Sequence, residues 1–98
     1  MKIRLAPLAQ REFREARSYY RQRSPTVASK FATAIRDRLD EIAQFPLSSQ
    51  KTSVAARRRA VVSGFPFVIL YEVRAHEIYV ASVFHTSRAP MTLPDRMR

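Results

Sequence analysis

Ninety-eight residues make one small domain, able to bury somewhat over about 60% of its unfolded surface and to fold alone with little stability to spare. The chain carries no cysteine, one glycine and a formal charge of +10, and 15 of its 18 basic residues are arginine. This composition excludes a disulfide framework, a thiolate metal site and a glycine-rich phosphate loop, and it points to an acidic partner such as nucleic acid, a ribosome or an acidic protein. The competing account of the charge is a solvated basic surface without a partner.

Lys2–Leu5 reads as a short first strand. Pro7 suits the first turn of a helix. From there Leu5, Ala9, Phe13, Ala16 and Tyr20 share one helical face. Arg11, Arg14 and Arg21 lie on the opposite side, with Arg17 at its edge. Arg23-Ser24-Pro25 marks a break and a restart, because Ser24 is a good N-cap and Pro25 a good first helical residue. The second helix runs to about Gln44, with Ala28, Phe31, Ile35, Leu39 and Ile42 as its apolar stripe. Phe45-Pro46 ends it. The polar segment 47–53 reads as a mobile loop.

Three β segments follow. The first, 56–62, contains Arg57-Arg58-Arg59, and Gly64 marks the turn after it. The second, 66–73, places Phe67, Ile69, Tyr71 and Val73 on one face. The third, 77–84, places Ile78, Val80 and Phe84 on one face and Tyr79, Ala81, Val83 and then His85 on the other. Residues 74–76 make a hairpin-sized connection, and His76 within it is a surface residue. A tail follows, with a flexible stretch expected from about 91 to 98. The order β-α-α-β-β-β predicts an α+β domain in which an N-terminal helical hairpin packs on a small antiparallel sheet. The strands are apolar on both faces, so the second face needs a cover: the tail, a partner or the occupant of a groove. No apolar run is long enough to span a bilayer, and no secretory signal is visible. A cytoplasmic protein with no membrane partner is expected.

Three groups of residues are candidates for a site. Arg57, Arg58 and Arg59 can hold a phosphate backbone or an acidic peptide, with Arg57 and Arg59 pointing one way and Arg58 the other. The plainer alternative is an edge strand kept from aggregating by its charge. His85 and Arg88 follow a strand end. There a histidine can move protons in RNA cleavage, and an arginine can stabilise the charge developing on a phosphate. The alternative is a histidine that anchors the tail through backbone hydrogen bonds. Tyr71 and Tyr79 can stack on bases or can be ordinary cross-strand core partners. Two histidines, no cysteine and acidic residues spread over helix surfaces argue against a zinc or two-metal site, so neither metal nor cofactor is expected.

Taken together, these residues resemble the RelE/ParE superfamily of toxins from bacterial type II toxin–antitoxin modules, the plasmid stabilisation family. The resemblance rests on the helix from Leu8 to Tyr20, Ser24-Pro25 opening the second helix and Leu39 through Ile42 to Phe45-Pro46 closing it. It continues through the basic strand, Phe65-Pro66-Phe67, Tyr71 and the closing His85, Arg88 and Pro90. It implies the fold just derived and a growth-inhibiting toxin neutralised by an acidic antitoxin that is otherwise disordered. RelE-like members cleave mRNA on the ribosome without a metal, whereas ParE-like members inhibit DNA gyrase. Val68 stands where RelE-like toxins carry an arginine, and no aromatic residue follows Arg88. Against the His-Gly-Arg-Arg-Asp-Pro ending of many members, Ser87 replaces the first arginine and Ala89 the aspartate. The chain is therefore closer to the ParE-like side, with gyrase poisoning as the leading expectation. A ribosome-dependent endoribonuclease using His85, Arg88, Arg57 and Arg59 is the rival, and a non-toxic antitoxin-binding member is the third possibility. Arg57, Arg58, Arg59, Tyr71, Tyr79 and Arg88 are the expected contacts to target or antitoxin.

Overall fold

A computed structural model of the chain describes residues 1–53 and 56–88. The elements run β1 (Lys2–Leu5), α1 (Pro7–Arg23), α2 (Pro25–Gln44), β2 (Gln50–Lys51), β3 (Arg57–Val61), β4 (Phe67–Val73) and β5 (Glu77–His85), closed by a 3-10 turn at Thr86–Arg88. The α+β architecture is the expected one, a helical hairpin against a sheet, with the two-residue β2 added at the edge. Among the described residues no helix is long and apolar enough to cross a membrane. The tail expected to be flexible from about 91 lies outside the described residues.

The hairpin forms for reasons local to the sequence. Proline occupies the first turn of both helices, where its missing N–H costs nothing. Ser24 serves both helices at once. Its N–H donates to the Tyr20 carbonyl, closing α1, and its hydroxyl accepts from the Val27 N–H, opening α2. The helices meet the sheet through a cluster of rings centred on Phe31, which is fully buried. Its ring centroid lies 5.8 Å from Phe13, 5.1 Å from Tyr20, 5.3 Å from Phe65 and 4.9 Å from Phe67.

The strands lie in the order β1-β5-β4-β3-β2. β3, β4 and β5 pair antiparallel as expected, β2 adds an antiparallel pairing to β3, and β1 runs parallel to β5, with Lys2 opposite Glu77 and Leu5 opposite Val80. The long connection through both helices and three strands frees β1 from the antiparallel constraint that a tight turn imposes. Gly64, at a φ of 83°, supplies the turn between β3 and β4.

A bulge in β5 changes which side chains face the helices. Leu70 pairs with Ser82 and Tyr71 with Val80, leaving Ala81 as the extra residue. Such an insertion flips every side chain beyond it to the other face. Ile78 and Val80 therefore join Val83 in the main core, while Phe84 lies with Val68 and Leu70 in a separate cluster. This corrects the simple alternation expected for 77–84. His85 moves to the helix side, opposite Phe67, and does not share a face with Tyr79, which lies opposite Glu72.

Two further expectations change. Val68, Leu70 and Phe84, on the far side of the sheet, are only 1%, 2% and 5% exposed, so this apolar face is already buried within the chain. The segment 47–53 is not simply a loop. Gln50 and Lys51 pair with Arg59 and Arg58, and Ser49 is buried. Edge pairing holds this stretch although its composition is that of a loop.

Candidate functional site

The basic strand β3 divides its three arginines between two kinds of work. Arg58 faces the helix side. One of its terminal nitrogens, Nη1, donates to the carbonyls of Ser49 at 2.7 Å and Leu47 at 3.1 Å. It thereby fixes the segment before β2. Arg57 faces the other way and pairs through Nε with Glu72 at 3.0 Å. Arg59, two residues on, has no ion pair among the described residues.

Arg57 opens a lattice of alternating charge across the far face. Arg74 bonds Glu72 at 3.1 Å and approaches Glu77 at 3.7 Å, and Arg4 bonds Glu77 at 2.7 Å. Tyr79 sits between two of these guanidinium groups, with Arg74 at 3.9 Å and Arg4 at 4.7 Å from its ring centroid. The hydrogen bond from Arg57, followed by that from Arg74, holds the Glu72 carboxyl below the usual carboxylate range. Arg4 does the same for Glu77. Tyr71 is fully buried and its hydroxyl donates to the Pro46 carbonyl at 2.7 Å. Its ring is a core group and is not presented for stacking.

His85 closes β5 at the edge of the hairpin. Its ring meets Phe67 edge-on, with centroids 5.2 Å apart. Nδ1 accepts from the Ser87 N–H at 3.1 Å and lies 2.7 Å from the Ser87 hydroxyl. The histidine thus holds the turn that follows the strand. Arg88 ends that turn; its side chain, like Pro90, lies outside the described residues.

Beside His85 lies an open groove of about 510 Å³ whose walls include Glu15, Tyr19, Tyr20, Phe67 and Ser87. Tyr19 is 53% exposed and its ring is backed by Arg23, 3.8 Å from the centroid. Burial, followed by the neighbouring Tyr19, pushes the Tyr20 phenol above its usual range. The groove is thus aromatic, half-open and bordered by one carboxylate. Among the described residues no cluster of His, Asp or Glu is arranged to hold a metal ion.

Glu12 is a positioning residue that sequence reasoning missed. β1 covers the outer edge of β5 only as far as Val80. Beyond that point Glu12 reaches from α1 and accepts from the Val83 N–H at 2.8 Å and the Ser82 hydroxyl at 2.7 Å. It satisfies an edge donor that is otherwise open to pairing with another chain. Nothing along the sequence marks it, because its partner is an edge created only when β1 stops short.

A family model of ParE toxins of type II toxin–antitoxin systems, parDE, matches residues 3–90. Among solved structures, the chromosomal ParDE TA system from P. aeruginosa includes a chain of the same fold. It has a TM-score of 0.76 and 17% identity over 87% of this chain and 95% of that one. No curated protein matches the sequence.

Proposed function

The chain belongs to the ParE toxins of type II toxin–antitoxin systems, and we propose that it stops growth by binding and poisoning DNA gyrase in the cytoplasm, without chemistry of its own, until a cognate acidic antitoxin neutralises it. The observation that supports this reading is that two of the groups the ribonuclease reading needs already have partners within the chain. Arg57 is committed to Glu72, and His85 Nδ1 to Ser87. Val68, where RelE-like relatives place an arginine, is 1% exposed. An arginine and a histidine nitrogen engaged in this way favour a binding role over the movement of protons.

The antitoxin docks in the aromatic groove beside His85. Val68, Leu70 and Phe84 are already covered, and Tyr19 with its groove neighbours offers an apolar anchor for an incoming segment. Net positive charge steers an acidic partner towards it.

The test is gyrase supercoiling with purified protein, with and without antitoxin. Supercoiling is expected to stop and to recover when antitoxin is added. Unchanged supercoiling at saturating protein removes the gyrase reading. Codon-linked cuts in ribosome-bound mRNA, lost in His85→Ala, replace it with the endoribonuclease. Normal growth after induction in bacteria rules out both and leaves a non-toxic antitoxin-binding member.

A further inference from the structure

The outer side of the helical hairpin holds a second basic surface, away from His85 and from the sheet. A crevice of about 390 Å³ runs between α1 and α2, with Arg17 and Arg21 on one wall and Arg36 on the other. Among the described residues its other lining side chains are Pro25, Ala28, Ser29, Ala32 and Thr33. Among the described residues no carboxylate lines it and none of the three arginines forms an ion pair.

This arrangement is unfavourable for the isolated fold. Arg17 and Arg21 stand four residues apart on one helix, where like charges repel. The first turn of α2 beside them contains no acidic residue, so the positive end of its dipole adds to the same field. Arg17 Nε is buried without a hydrogen-bond partner, an unsatisfied donor that the fold carries beside the crevice. Its guanidinium lies 5.5 Å from the Phe13 ring centroid, which holds it at the crevice.

We propose that this crevice binds the phosphodiester backbone of a duplex nucleic acid, with Arg17, Arg21 and Arg36 gripping phosphate oxygens and Ser29 and Thr33 adding hydroxyl donors. Its lining selects that ligand. A protein segment needs apolar or aromatic anchor pockets, and this crevice offers side chains no larger than proline and threonine besides its arginines. A single strand is held largely by stacking on aromatic rings, and among the described residues no ring lines the crevice. A duplex turns its bases inward and presents phosphates, which guanidinium groups take in bidentate fashion. Binding is accordingly independent of sequence. The site stands apart from the antitoxin groove, and its test does not depend on whether gyrase is the target.

The experiment titrates full-length protein against a labelled DNA duplex of about 20 base pairs by fluorescence anisotropy, at salt concentrations from about 50 to 200 mM. Arg21→Gln/Arg36→Gln is compared with Lys2→Gln/Lys51→Gln, which removes the same charge from exposed positions elsewhere. The crevice variant is expected to lose roughly tenfold in affinity at low salt and to flatten the slope of log K against log salt by about 2, about 1 per residue. The lysine variant should keep the wild-type slope. Equal losses in the two variants, or no duplex binding by the wild type, overturn the proposal. Tighter binding of a single strand of the same length also overturns it. A Glu-rich peptide held through the crevice more tightly than the duplex overturns it in favour of an acidic protein segment.

Discussion

On the sheet, Arg4, Arg57 and Arg74 are interleaved with Glu72 and Glu77 and enclose Tyr79. On the hairpin, Arg17, Arg21 and Arg36 line a crevice with no carboxylate among the described residues. The residue type is the same and the meaning differs. The sheet arginines are tied to carboxylates, and Arg4 and Arg74 also stack on the Tyr79 ring. The hairpin arginines keep their field and their donors. A net charge of +10 therefore does not spread evenly over this molecule; the proposed duplex site lies where arginines lack carboxylate neighbours among the described residues.

The largest effect should come from separating the inner and outer sides of the hairpin. Phe31→Ala removes the ring on which both helices meet the sheet, and it should cost about 3–5 kcal/mol. Chemical denaturation measures this, and a loss under about 1 kcal/mol would contradict a core centred on that ring. Glu72→Gln is the next step, and it addresses the sheet lattice directly. It leaves Arg57 and Arg74 without their shared carboxylate and should cost about 1–2 kcal/mol near neutral pH.

The same variant makes a pH prediction. Because its folded pKa is lowered, Glu72 contributes stability above the pKa of the unfolded chain, and that contribution is lost as pH falls through the folded value. Wild-type stability should therefore drop more steeply than that of Glu72→Gln below the ordinary glutamate range. Parallel acid limbs in the two proteins would show that the lattice contributes nothing. The smallest effect belongs to the hairpin. Arg21→Gln/Arg36→Gln should change stability by no more than about 0.5 kcal/mol, since both side chains are exposed and unpaired. A marked loss there would mean that these arginines also serve the fold.

Much of this was legible in the chain. The restart at Ser24-Pro25, the Phe31 stripe and the turn at Gly64 each follow from local chemistry acting over a few residues, and each appears where that chemistry puts it. The divergence of Arg57 and Arg58 follows from strand period alone. The placement of His85 was not legible. Strict alternation sends it to the face of Tyr79, and a single extra residue, Ala81, reverses that. A bulge of this kind is set by how β4 and β5 register against each other, which local propensity does not report.

By itself, the sequence determined the helical hairpin, the apolar strands, the excess of arginine and the likeness to a toxin family, because periodicity, capping and composition are properties of neighbouring residues. Tertiary structure alone decided which arginines are spent and which remain available. Pairing Arg57 with Glu72, turning Arg58 to the carbonyls of Leu47 and Ser49, and bringing Arg17 and Arg21 opposite Arg36 all join residues far apart in the chain. Electrostatic energy depends on distance in space, and only the folded arrangement sets that distance.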